Sequence, residues 1–155
     1  MSGQIELRLR ELGIELPRAP VPAAAYVPYV LVGNTLYIAG QIPVWQGEFR
    51  YVGKLGVEFS IEEGQAAARQ CGVNIIAQVA DALNGDLDRV VRCVKLGGFV
   101  NATPEFREHP KVLNGASELM IQVFGDLGRH ARYAVGANSL PFNVAVEIDA
   151  IFQVK

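Results

Sequence analysis

A chain of 155 residues, half of them hydrophobic and 19% charged, is long enough to bury a core and too apolar to stay disordered. A net charge of −2 with no run of lysine or arginine argues against a nucleic-acid partner, which leaves a basic footprint. No stretch reads as a signal peptide or a membrane span, and the two isolated cysteines, Cys71 and Cys93, read as reduced and buried, so the expected setting is cytoplasmic.

Taken in order, residues 4–12 place Ile5, Leu9 and Leu12 at helical spacing, and Gly13 can close that helix. Pro17, Pro20 and Pro22 then impose an extended connector over residues 16–25. Residues 1–19 are therefore an N-terminal helix and proline-rich connector, and residues 20–155 the main domain. Residues 26–32 and 35–39 read as strands around the turn Gly33-Asn34. Gly40 follows, either a bulge or a place where a ligand approaches the backbone. Residues 45–56 read as a surface excursion with one short strand.

Ser60-Ile61-Glu62-Glu63 is a capping box, in which serine and glutamate satisfy each other's backbone N–H. The helix behind it runs to about Leu83, with Ala67, Ala68, Cys71, Ile75, Val79 and Leu83 on one face. Residues 89–101 read as a long strand bent at Gly97-Gly98. A second helix starts near Pro110 and buries Val112, Leu113, Ala116, Leu119, Met120, Val123 and Phe124. Asn114 falls beside that stripe, either solvated or turned to a partner.

The last stretch, Arg129–Ala150, reads as two alternating strands joined through Leu140-Pro141. Pairing Ala137 with Val144 sets Arg132 opposite Asp149 and Ala134 opposite Glu147, one arginine among small residues and two carboxylates. Such a group is either a cross-strand ion pair or a seat for a carboxylate ligand. The element order β-β-α-β-α-β-β behind an N-terminal helix predicts an α+β domain, a mixed sheet with two helices on one face. The other face is left for an oligomer interface. There is no close cysteine pair, and His109 and His130 fall on unlike elements, so no metal is expected.

Val27-Pro28-Tyr29, Gly33-Asn34, Ile38-Ala39-Gly40-Gln41-Ile42-Pro43, the capped helix from Ser60 and the strand Val94–Val100 occur in one order. Ala131-Arg132, Leu140-Pro141 and Val146-Glu147-Ile148-Asp149-Ala150 complete it. In that order the chain resembles the Rid proteins, also called YjgF or L-PSP proteins, from about Pro20 to Val154. The resemblance implies a chorismate-mutase-like fold, a homotrimer with sites in clefts between subunits, and no cofactor. It implies hydrolytic deamination of reactive 2-imino acids and their enamines, such as 2-aminoacrylate, to 2-keto acids and ammonia.

By the same resemblance, Arg132 would pair with the substrate carboxylate and Glu147 would hold or activate water. Gly40 would offer its backbone, Ala134 its carbonyl, Asn114 its amide, and Tyr29 would arrive from a neighbouring subunit. The chain departs from the family at Ala39, where serine is common, and at Ala134, where cysteine is common. It also departs in the N-terminal helix and the longer segment Arg107–Pro110. Two other functions stay open: a non-catalytic module binding small carboxylates, and RNA cleavage with inhibition of translation, which the acidic balance opposes.

Overall fold

The computed structural model describes residues 3–155. After α1 (Gln4–Glu11) come β1 (Tyr29–Val32), β2 (Thr35–Gln41) and a small hairpin, β3 (Val44–Trp45) with β4 (Glu48–Phe49). Then follow α2 (Ile61–Ala82), β5 (Val90–Asn101), α3 (His109–Phe124), β6 (Ala131–Ala137) and β7 (Val146–Val154). The main sheet runs β1-β2-β7-β5-β6, antiparallel except for the parallel pair β5–β6. The α+β architecture is as expected, although the excursion after Val44 holds two short strands rather than one.

Local chemistry accounts for the helices. Ser60 Oγ accepts the Glu63 N–H at 3.2 Å while Glu63 Oε1 accepts the Ser60 N–H at 3.1 Å, so the capping box forms. The expected stripe of α2 is fully buried, from Ala67 to Leu83, against the sheet and α3. Gly115 of α3 lies against the Gln65 backbone carbonyl of α2, where any side chain would collide, so the two helices touch backbone to backbone. The α1 helix lacks a cap of its own. Asp88 supplies one across the fold, its carboxylate accepting the N–H groups of Gln4 and Ile5 at 3.0 Å each. Leu9 of α1 joins the common core.

The register of the C-terminal strands differs from the sequence reading, and the difference governs the site. Strands β6 and β7 do not pair; β5 lies between them. Leu96 is the partner of Arg132 on one side and of Ala150 on the other, and Gly97 stands between Tyr133 and Asp149. At 12 residues β5 is long enough to serve two neighbours, and the crossover through α3 lays β6 parallel to it at the sheet edge. Alternation then sets Arg132, Ala134, Leu96, Gly98, Ile148 and Ala150 on the helix-covered face. Tyr133, Val135, Phe99, Glu147 and Asp149 take the other. Arg132 and Glu147 are therefore on opposite faces, not on one.

Candidate functional site

The expected site residues fall into separate groups. The first gathers at the outer edge strand β6. Arg132 Nη1 donates to Asn114 Oδ1 at 2.9 Å and to Ser117 Oγ at 3.0 Å, and Nη2 donates to the Pro110 carbonyl at 3.3 Å. Asn114 and Ser117 are three residues apart on α3, so the helix presents both toward β6. Pro110, in the first helical turn, brings its carbonyl to the same place. Burial draws the guanidinium's pKa down from its ordinary value, though it stays charged. Among the described residues no carboxylate lies within ion-pair distance of Arg132. The cross-strand pair with Asp149 is thus absent. Ala134 follows two residues on, half-buried on the same face against the core.

Ser117 and His130 were not anticipated, and they form a chain behind the arginine. His130 Nδ1 lies 2.7 Å from the Gly128 carbonyl, and His130 Nε2 lies 2.8 Å from Ser117 Oγ. A carbonyl can only accept, so Nδ1 carries the proton in the neutral ring and Nε2 accepts from the serine hydroxyl. The serine's lone pairs are then free for Arg132. Burial first, with the Gly128 carbonyl opposing and the Arg132 charge assisting, lowers the His130 pKa below its ordinary value, which favours the neutral ring.

The second group is Gly40 with Glu147. The register of β2 against β7 slips between Ile38 and Gln41, a bulge at Ala39-Gly40, and the missing side chain of Gly40 leaves the space that Glu147 Oε2 occupies. Burial first, and the neighbouring Asp149 second, raise the pKa of Glu147 above its ordinary value. Asp149 is raised too, mainly by burial, with the Gly97 N–H opposing. Two adjacent carboxylates on a sheet face resist full ionisation together. That suits a group that must exchange protons.

Tyr29 stands apart from both. It lies on β1 at the far edge of the sheet from Arg132, and its hydroxyl donates to Asp81 Oδ2 of the same chain at 2.8 Å. That carboxylate, with partial burial, raises the tyrosine pKa. Of the candidates, one chain thus joins Arg132 with Asn114 and Gly40 with Glu147, and leaves the pairs apart. Among the described residues no three His, Cys, Asp or Glu side chains come together as a metal-ligand group. Cys71 and Cys93 are buried and unbridged, and burial pushes both thiols up, Cys93 to about 12, which disfavours the thiolate.

Comparison with known proteins gives one family. Residues 6–152 match the model described as "YjgF/chorismate_mutase-like, putative endoribonuclease". A crystal structure of a protein of unknown function from Agrobacterium tumefaciens is 51% identical, with a TM-score of 0.92 over 97% of this chain and 92% of that one. Protein TCP17 of Trypanosoma cruzi is 49% identical over 99% of this chain and 96% of its own. RidA from an Antarctic Psychrobacter is 29% identical, with a TM-score of 0.61 over 88% of this chain and 94% of that one.

Proposed function

The chain belongs to the Rid/YjgF family, with its chorismate-mutase-like fold, and within it we propose that the protein hydrolyses 2-imino acids, R–C(=NH)–COO⁻, to 2-keto acids. The observation that carries this reading is Arg132: a guanidinium fixed by three neutral acceptors with, among the described residues, no carboxylate of its own. Such a group is preorganised for an outside carboxylate, which it can grip with two parallel hydrogen bonds.

In the proposed reaction Glu147 takes a proton from water as the oxygen bonds to the imine carbon. The nitrogen receives that proton back and the second water proton from the carbinolamine hydroxyl as the carbonyl forms, leaves as ammonia when the C–N bond breaks, and the products are R–CO–COO⁻ and NH₃. A carboxylate with a raised pKa is suited to taking and returning that proton. A protonated imine is already electrophilic, so placement of water and substrate supplies much of the acceleration. Since Arg132 and Glu147 occupy opposite faces of one sheet, we place the working site between copies, Arg132 of one meeting Glu147 of the next in a homotrimer.

The test is a dehydratase that releases 2-aminoacrylate from serine, with pyruvate formation followed. Added protein should speed keto-acid release, and Arg132→Ala should lower kcat/KM about 100-fold. No acceleration by the intact oligomer would sink the proposal. Glu147→Gln separates catalysis from mere binding: pyruvate should still bind while turnover falls. If turnover never existed and pyruvate binds, the protein is a carboxylate-binding module. RNA cleavage, the activity in the family's description, would be revived by ribonuclease activity that survives purification and vanishes with a point substitution.

A further inference from the structure

Beside Gly40 a cavity of about 260 Å³ opens between the proline-rich connector and the loop before β7. Its walls include Pro20, Tyr26, Ile42, Phe49 and Phe142, with the Gly40 backbone in the lining. Gly40 is the residue the cavity and the carboxylate assigned to the water have in common: its backbone lines the cavity, and Glu147 Oε2 lies where its side chain would be. We propose that the cavity holds the side chain of the substrate, and that the preferred substrates are 2-imino acids with a bulky apolar, above all an aromatic, side chain. This inference rests on the reading of Glu147 and Gly40 given above.

Three observations carry it. First, Phe49 and Phe142 stack with ring centroids 4.5 Å apart and planes 19° from parallel, yet Phe142 is 63% exposed. A phenylalanine kept stacked in water at a cavity mouth offers a flat surface to an apolar guest. Second, Phe142 is held at φ 57°, a left-handed backbone that a bulky side chain rarely adopts. Its neighbour Asn143 anchors that turn: Asn143 Oδ1 accepts from the buried Asn101 Nδ2 at 3.0 Å, and the Asn143 carbonyl accepts the Gly53 N–H at 2.7 Å. Strain maintained by a buried network points to a site rather than to an accident of packing.

Third, the wall opposite is tied down. The Pro20 carbonyl accepts from the buried Gln78 Nε2 at 2.6 Å, which holds the connector in place over the strands. The cavity is thus built by the fold and is not a gap between loose segments. Its volume decides the class. An apolar cavity of about 150 Å³ accommodates benzene, so 260 Å³ admits a benzyl group with room left toward Gly40. The methyl group of 2-iminopropanoate, the imine tautomer of 2-aminoacrylate, would leave most of it to water.

The experiment uses the intact protein with imines that an L-amino-acid oxidase releases from alanine, leucine and phenylalanine. Keto-acid release is measured against spontaneous hydrolysis, and binding of phenylpyruvate and pyruvate is measured by calorimetry. The expected result is kcat/KM for the phenylalanine-derived imine about tenfold or more above that for the alanine-derived one. Phe142→Ala should erase most of that preference with little effect on the small substrate, and Phe49→Ala should do the same if Phe142→Ala folds poorly. Equal rates for all three imines, untouched by either variant, would overturn the assignment and leave the deaminase reading standing. No turnover, with phenylpyruvate bound more tightly than pyruvate, would overturn the deaminase reading and keep the cavity. Failure of phenylpyruvate to bind, with Phe142→Ala changing the oligomeric mass, would show that another copy fills the cavity and overturn the proposal.

Discussion

Three acceptors hold the Arg132 guanidinium, and only one of them is itself oriented by a further group. Asn114 accepts directly, the Pro110 carbonyl is fixed by the helix, and Ser117 is turned by the neutral His130 behind it. Ser117→Ala removes one hydrogen bond and leaves two, so pyruvate binding should weaken about three- to tenfold with kcat nearly unchanged. His130→Gln can set an acceptor where Nε2 lies and should bind pyruvate as the native protein does; His130→Leu cannot and should match Ser117→Ala. If Gln and Leu behave alike, the imidazole is packing and does not orient the serine. Glu147 yields a second prediction, with the sign opposite to that of an ion-paired acid. Its folded pKa is raised above the ordinary value of 4.5, so its stabilising contribution is present below that value and is lost as pH rises through the folded pKa. Gln mimics the protonated form at every pH. Glu147→Gln should therefore raise the melting temperature at pH 7–8 by on the order of 2 °C, small because the group is half-exposed, and the gap should close by pH 4. A melting temperature lowered at pH 8 would refute the direction of the shift.

Within the elements, the β2 bulge links backbone geometry to chemistry. Gly40 has an ordinary backbone conformation; what it provides is the absence of a side chain facing Glu147. In Gly40→Ala the new methyl meets the tip of a flexible side chain, which can swing aside. The variant should fold with a stability change under about 1 kcal/mol, keep pyruvate binding at Arg132, and lose most turnover. A variant that folds and turns over normally would show that Glu147 needs no fixed position. The sequence made parts of this legible and hid others for a physical reason. The Ser60 capping box and the stripes of α2 and α3 are local signals, written within one or two turns, and they hold in the structure. Gly40 beside Glu147 was legible only through resemblance. The pairing of β6 with β7 was misread because alternation fixes which side chains share a face, not which strand lies alongside. The intervening β5 is a tertiary fact, and it moved Arg132 to the face opposite Glu147. Ser117 was within reach, since it lies one turn after Asn114, and His130 precedes Arg132 by two residues on the same side of the chain.

At the scale of the whole molecule, the described chain leaves one sheet face without helices, and on it exposed apolar side chains flank the carboxylates of β7. Val30 and Tyr37 are each 47% exposed, Val135 43% and Phe99 39%, all on the face that carries Glu147. Exposed apolar side chains on both sides of the β7 carboxylates favour a partner surface, and in the proposed ring of three copies it would be another chain, the β6 edge of one meeting the next. The mass in solution should be three times the 16.8 kDa of the chain. Replacing Phe99 and Val135 together with glutamate should yield smaller species, and pyruvate binding should fall although Arg132 is untouched. If each site draws Arg132 and Glu147 from different copies, as proposed, mixing two variants tests it. In the proposed trimer, Arg132→Ala and Glu147→Gln should each be strongly impaired on their own. If the two are unfolded together in equal amounts and refolded, a site is competent when its arginine comes from the Glu147→Gln chain and its glutamate from the Arg132→Ala chain. Random assembly makes each condition true half the time, so roughly a quarter of native activity should return. Were both groups drawn from one chain, every site would lack one of them, and mixing would restore nothing.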